Sequence, residues 1–203
     1  IKKIFTYNRS LTGDGNRKTL NEVKKIIKNL KIIQYNSGEK VFDWIIPPEW
    51  NVKDAYIKYN KKKIVDFKKN NLHLLGYSHP IKKKVNLDIL KKHLYTFKSN
   101  KKAIPYVTSY YKKNWGFCIS HNFKKEIFKR YKNIDKFKIV IDSNHNSKGS
   151  LTYGELIIKG KSDQEILIST YICHPSMANN ELSGPIVSMA LIKNFIKKKP
   201  KKT

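Results

Sequence analysis

The stretch E-I-L-I-S-T-Y-I-C-H-P-S-M-A-N-N-E-L-S-G-P, residues 165–185, decides how the rest of the chain is read. Its first eight residues, 165–172, are mostly apolar or β-branched and carry one charge, at Glu165, which predicts a buried strand. His174 and Pro175 stand at the end of that strand. A small polar loop follows with Asn179, Asn180 and Glu181, and Ser183-Gly184-Pro185 then opens a helix, Pro lying near its first position. Strand, polar loop and helix is the order in which open α/β sheets place ligands, beyond the carboxyl ends of the strands. A strand-end His with an acid a few residues on is a candidate metal site. The competing reading is a hydrogen-bonded structural histidine, with Glu181 and Asn180 serving only the helix N-terminus.

Working outward, the totals bound the class. A chain of 203 residues with 39% hydrophobic content can bury a real core, as one large domain or two small ones. The formal charge of +28 suggests an anionic partner. The bias is almost all lysine, however: of 43 basic residues only Arg9, Arg17 and Arg130 are arginine, the usual reader of phosphate and base edges. The lysines are spread along the whole length among many Asn and Ile, so the excess reads as compositional. A basic nucleic-acid-binding module therefore ranks behind the other readings. Cys118 and Cys173 are far apart and form no C-x-x-C pair, so reduced, cytoplasmic thiols are expected. No run approaches the roughly 20 apolar residues of a membrane span, and no signal peptide opens the chain. A start at Ile1 and a stop soon after the last helix predict a segment of a longer protein.

In chain order, R-S-L-T-G-D-G-N-R at residues 9–17 is turn-rich and lacks the Gly-Lys-Ser/Thr ending of a phosphate loop, so it reads as a capped loop before a helix. That helix is predicted over residues 18–30, with Leu20, Val23, Ile27 and Leu30 on one face. Strands are predicted at 31–35 and 40–46, then a break at Pro47-Pro48, then a hairpin of 52–58 and 63–67 around Tyr59-Asn60-Lys61. Trp44 and Trp50 flank the break as core candidates. Composition shifts at Asn70-Asn71, and short strands with interposed helices are expected to about Ser150. Asn86 and Asn122 are the expected helix caps. Residues 104–111 and 115–119 are aromatic and β-prone, and 137–142 a strand. A polar loop at 144–149 precedes a strand at 151–159, and the last helix carries Val187, Ala190, Leu191 and Phe195 before Lys197-Lys198-Lys199.

Several of these blocks carry a resemblance. H-P-S-M-A-N-N-E-L-S-G resembles the segment of the co-catalytic zinc aminopeptidases in which a strand-end His and a later Asp-Asn-x-Ser-Gly supply two metal ligands. The chain is more similar still to a bacterial family of aminopeptidase-like proteins labelled a domain of unknown function. The blocks R-S-L-T-G, V-F-D-W, D-A-Y-I, H-L-L-G-Y-S, I-P-Y-V-T-S-Y-Y, W-G-F-C, G-S-L-T-Y-G-E and I-S-T-Y-I-C-H-P-S-M-A-N-N-E-L-S-G-P carry it over nearly the whole length.

The resemblance implies an α/β fold: a zinc-aminopeptidase-like core with a mixed sheet, interrupted by a small α+β inserted domain. Residues 1–69 would form the first part of the core, 70–150 the insertion and 151–203 the second, truncated part. It also implies metal-dependent hydrolysis of an amide or peptide bond in a small substrate, one or two zinc ions (Zn), and a cytoplasmic bacterial protein linked in some cases to surface polysaccharide synthesis. Zinc would be held by His174 with Asn180 or Glu181. Here the sequence departs from the zinc peptidases. Aligned on Leu182-Ser183-Gly184, their bridging Asp is Asn180, whose amide oxygen binds zinc far more weakly than a carboxylate, and the next residue is Glu181. Either Glu181 takes the ligand role, or one ion is held, or the site is degraded. No Asp, Glu or His follows Gly184, so no catalytic base is assigned within this chain. The remaining histidines, His73, His79, His93, His121 and His145, form no paired-ligand spacing; His73 and His145 stay as candidates for substrate contact, with structural roles the competing reading for all five. The alternative to an enzyme is a metal-free, peptidase-like scaffold that binds a ligand or partner.

Overall fold

The computed structural model describes residues 1–198 and 200–202. The chain falls into two compact units, one made of residues 1–49 and 146–203, the other of 50–145. The composition shift at Asn70-Asn71 lies inside the second unit.

The first unit begins with α1 (Lys2–Phe5), then the loop of residues 6–13, then α2 (Asp14–Ile26). α2 starts four residues before the predicted point because Gly13, at φ 108°, turns the chain into it and the Asn16 side chain closes the loop. Asn16 Nδ2 donates to the Ser10 carbonyl at 2.7 Å, and Ser10 N–H donates back to Asn16 Oδ1 at 3.1 Å. Gly15 sits where a Cβ would collide with the Asn8 carbonyl, so the helix packs directly on this loop. The predicted apolar face forms the core of the unit. Leu20, Ile27 and Leu30 are buried, with Val23, Ile32, Leu156, Ile172, Met189 and Ile192 packed against them.

The strand β1 (Lys31–Asn36) follows. The single strand expected over 40–46 is instead a tight hairpin of β2 (Lys40–Val41) and β3 (Trp44–Ile45). Phe42, at φ 55°, reverses the chain between them, a conformation that nothing in its residue type foretells.

The chain enters the second unit along β4 (Glu49–Tyr59) and turns at Asn60, φ 49°, into β5 (Lys62–Asp66), the predicted hairpin. A 3-10 turn at Asn71–His73 leads to β6 (Ile81–Val85) and α3 (Leu87–Lys92), which Asn86 caps by accepting from Ile89 N–H. Next come β7 (Leu94–Tyr95), β8 (Phe117–Cys118) and α4 (His121–Arg130). The cap of α4 is Ser120, whose Oγ accepts from Phe123 N–H, and not Asn122. Residues 104–111 form no strand; their only ladder contact among the described residues is the bridge of Thr108 with Gly76. β9 (Phe137–Asn146) runs four residues beyond its predicted end, through the first half of the expected polar loop.

β10 (Ser150–Glu155) pairs antiparallel with β1. The second unit's sheet has the order β5-β4-β9-β6, and β7 and β8 pair in parallel. The architecture is thus mixed α/β, built from several small sheets.

The largest departure concerns residues 165–172. They form no strand, and Ile166, Leu167 and Ile168 are 64%, 89% and 52% exposed. A strand exists only where another backbone supplies hydrogen bonds, and no described strand lies beside this run. Only its last residue, Ile172, reaches the apolar core. The final helix, α5 (Ser183–Lys197), starts where Ser183-Gly184-Pro185 predicts. Of the closing lysines, Lys199 lies outside the described residues. Among the described residues no helix is long and apolar enough to cross a membrane.

Candidate metal centre

The segment between residue 172 and α5 is held by polar contacts, both within itself and to residues near the start of the chain. Ser176, at φ 48°, bends the chain, and its N–H donates to the Phe5 carbonyl at 3.1 Å. Leu182 N–H donates to the Ala178 carbonyl at 3.0 Å, closing one turn just before α5. Leu182 and Glu181 are fully buried. Gly184 lets this turn approach residues 165–172, since a Cβ there would collide with Thr170 Oγ1.

Inside that bend the three sequence candidates come together. His174 N–H donates to Glu181 Oε2 at 2.9 Å. His174 Nδ1 forms an ion pair with Glu181 Oε1 and lies 3.2 Å from Asn180 Oδ1. Glu181 Oε1 has no hydrogen-bond partner of regular geometry among the described residues; its charge is met by the ion pair with the His174 ring and by the nearby Arg9 guanidinium. Asn180 stays on the exposed side of the cluster.

Two residues enter that the sequence reading did not select. Cys173 is half-buried, and its Sγ, a His174 ring nitrogen and a Glu181 carboxylate oxygen lie within 4.8 Å of one another. The other is Arg9, from the R-S-L-T-G block, which is 1% exposed. Its Nε donates to the His174 carbonyl at 3.0 Å and its Nη1 to the Ile4 carbonyl, while Nη2 has no hydrogen-bond partner among the described residues. Arg9 was legible only as a loop residue because its partner lies 165 positions away; Cys173 had one signal, its adjacency to His174.

The electrostatics favour a positive charge on His174. The His174 imidazole is pushed up to about 10, first by its hydrogen bond with Cys173 and then by Glu181, against the cost of burial. Burial lowers the Arg9 guanidinium from its usual range, opposed by its electrostatic interactions with Glu181 and then Cys173. A buried carboxylate, an imidazole and a thiol so close together match the donor types of a zinc site, and the proton on His174 holds the place that a metal ion would take. The residues therefore fit a divalent metal.

The other histidines lie elsewhere. His73 Nδ1 pairs with the Cys118 carbonyl at 2.8 Å, and His93 Nδ1 with the Trp115 carbonyl at 2.8 Å, with its ring stacked on Trp115. His121 Nδ1 meets Thr96 Oγ1 at 3.1 Å. His79 and His145 stack on each other at 4.1 Å. A surface depression lined by Tyr7, Lys18, Asn21, Glu22, Lys24 and Lys25 includes none of the cluster residues.

Comparison with known proteins agrees with the sequence blocks. A protein of Clostridium acetobutylicum named "Putative polysaccharide biosynthesis protein with aminopeptidase-like domain" is 48% identical over 202 residues, covering 99% of this chain and 45% of that protein. A crystal structure titled as a "putative peptidase" from the same organism superposes with a TM-score of 0.91 at 47% identity, covering 99% of this chain and 46% of that one. The chain thus spans a little under half the length of each. A family model matches residues 1–203, and the chain belongs to the family described as "Domain of unknown function (DUF4910)".

Proposed function

We propose that the chain carries metal-binding residues of an aminopeptidase-like hydrolase acting on an amide or peptide bond, with zinc held by His174 and Glu181. The observation that carries this is the Glu181 carboxylate, fully buried, with Oε1 directed at the His174 ring and lacking a regular hydrogen-bond partner. A buried carboxylate needs compensation by a positive charge, and a divalent ion shared with His174 provides it. The names of the two Clostridium relatives support the reaction class, and one of them sets an aminopeptidase-like domain beside polysaccharide biosynthesis.

When bound, zinc supplies Lewis acidity towards the carbonyl of a scissile amide. The chain's own residues hold and shape the site. Glu181 fixes the His174 backbone through Oε2, Arg9 fixes it from the carbonyl side, and Asn180 lines the open edge with an amide in place of a second carboxylate. No residue of this chain is assigned the role of proton-accepting base.

The test is hydrolysis of aminoacyl p-nitroanilides by the full-length gene product before chelation, after chelation and after zinc is restored. Activity lost on chelation, regained with zinc and absent in His174→Ala supports the reading. Chelator-resistant activity overturns it.

A metal-free scaffold is the second reading. One observation favours it: His174 Nδ1 already pairs with Glu181 and meets Asn180 Oδ1, so a protonated imidazole can balance the carboxylate charge without a metal. A protein that holds no metal and hydrolyses nothing, yet keeps its fold, would support it.

A further inference from the structure

We propose that Cys173 is a third protein ligand, making the centre a single-ion Cys-His-Glu site selective for a thiophilic divalent cation such as Zn²⁺ over Mg²⁺ or Mn²⁺. This rests on the metal reading above and deepens it.

Adjacent residues in an extended strand point to opposite faces, and Cys173 and His174 could not then share an ion. Here no strand forms, and the chain bends from His174 to Ser176. The His174 backbone is pinned on both sides, its N–H by Glu181 Oε2 at 2.9 Å and its carbonyl by Arg9 Nε at 3.0 Å. In that geometry Sγ, imidazole nitrogen and carboxylate oxygen all fall within 4.8 Å of one another. Donors about 2.0–2.3 Å from a tetrahedral zinc stand roughly 3.3–3.8 Å apart, so small side-chain rotations close the set.

A second observation points the same way. Glu181 Oε1, on a fully buried side chain, has no regular hydrogen-bond partner among the described residues. One thiolate, one carboxylate and one neutral imidazole balance a single 2+ ion. Asn180 brings no charge with which to bridge a second. A thiolate donor selects soft ions, whereas Mg²⁺ and Mn²⁺ prefer all-oxygen shells.

The experiment is titration of the purified protein with Co²⁺, followed by its near-ultraviolet and visible spectrum. The expected result is saturation at one equivalent with a thiolate-to-cobalt charge-transfer band. In Cys173→Ser the band should be gone and affinity lower by more than tenfold, since loss of even an outer-shell partner costs about 10–100-fold. Zn²⁺ should displace the cobalt and Mg²⁺ should not. Cobalt bound at His174 without a thiolate band in the wild type overturns the Cys173 assignment and leaves the His174–Glu181 reading standing. No cobalt binding at all overturns both. X-ray absorption of the zinc-loaded wild type, expected to show one sulfur at about 2.3 Å, decides the matter without any variant.

Discussion

Arg9 and His174, 165 residues apart in sequence, are joined by a hydrogen bond from the buried guanidinium Nε to the His174 carbonyl at 3.0 Å. The same side chain donates to the Ile4 carbonyl, so one arginine ties α1 to the candidate metal centre. Its role is to position His174, since at 1% exposure it offers no surface to a substrate.

Replacing Arg9 by Ala leaves two carbonyls without their donor and removes one of the two positive charges near Glu181, the other being His174. The expected loss is about 3 kcal/mol of unfolding free energy, read from the urea midpoint. Arg9→Lys should recover little of it, because an ammonium cannot serve two carbonyls with the geometry of the guanidinium fork. Zinc affinity should fall in both variants while Glu181 stays in place.

Gly184→Ala places a methyl group against Thr170 Oγ1, and overpacking of this kind costs about 1–3 kcal/mol. Thr170→Gly removes the obstructing atoms, so in the double variant the loss from Gly184→Ala should shrink to near the helix-propensity gain. A cycle of thermal unfolding midpoints measures it, and additive losses would mean that the two residues do not meet.

Leu167 tests the corrected placement of the apolar run. At 89% exposure, Leu167→Ser should change stability by no more than about 0.5 kcal/mol, where a buried strand residue would lose several times as much. Chemical denaturation of the two proteins side by side reads the difference.

The two thiols should differ in reactivity. Cys118 is fully buried, and burial pushes its thiol up to about 12, so it should resist alkylation in the native protein near neutral pH. Cys173 is half-buried and should be modified first. Mass spectrometry after iodoacetamide treatment locates the label, and zinc loading should protect Cys173.

In the second unit, acid should act through the His79–His145 stack. Burial lowers both imidazoles; Lys113 adds to the effect at His79, and at His145 the His79 charge adds to it while a backbone bond to Tyr77 opposes it. A histidine with a depressed folded value binds fewer protons folded than unfolded, so stability rises with pH. The contribution is intact above about 6.5, the unfolded value, and is lost as pH falls through the folded values. Urea midpoints between pH 7.5 and 5 should fall on acidification, less steeply in His145→Gln.

What the sequence made legible was local. The α2 face of Leu20, Val23, Ile27 and Leu30, the turn at Asn60 and the Asn86 cap each depend on a few neighbouring residues, and each formed. The start of α5 and the convergence of His174, Asn180 and Glu181 depend on one short loop. The misses had distant or conformational causes. Residues 165–172 have strand composition, but composition does not say which backbone will pair with them. Phe42 adopts a left-handed turn that its side chain does not favour. Ser120 and Asn122 are both good caps, and the helix took the earlier one. Arg9 could not be joined to His174 without the fold.

The most direct measurement is the zinc content of the purified protein after dialysis against metal-free buffer, by elemental analysis, for wild type and His174→Ala. One zinc per chain in the wild type and none in the variant is the predicted result. A wild type without zinc, or a variant that keeps it in full, contradicts a metal centre at His174.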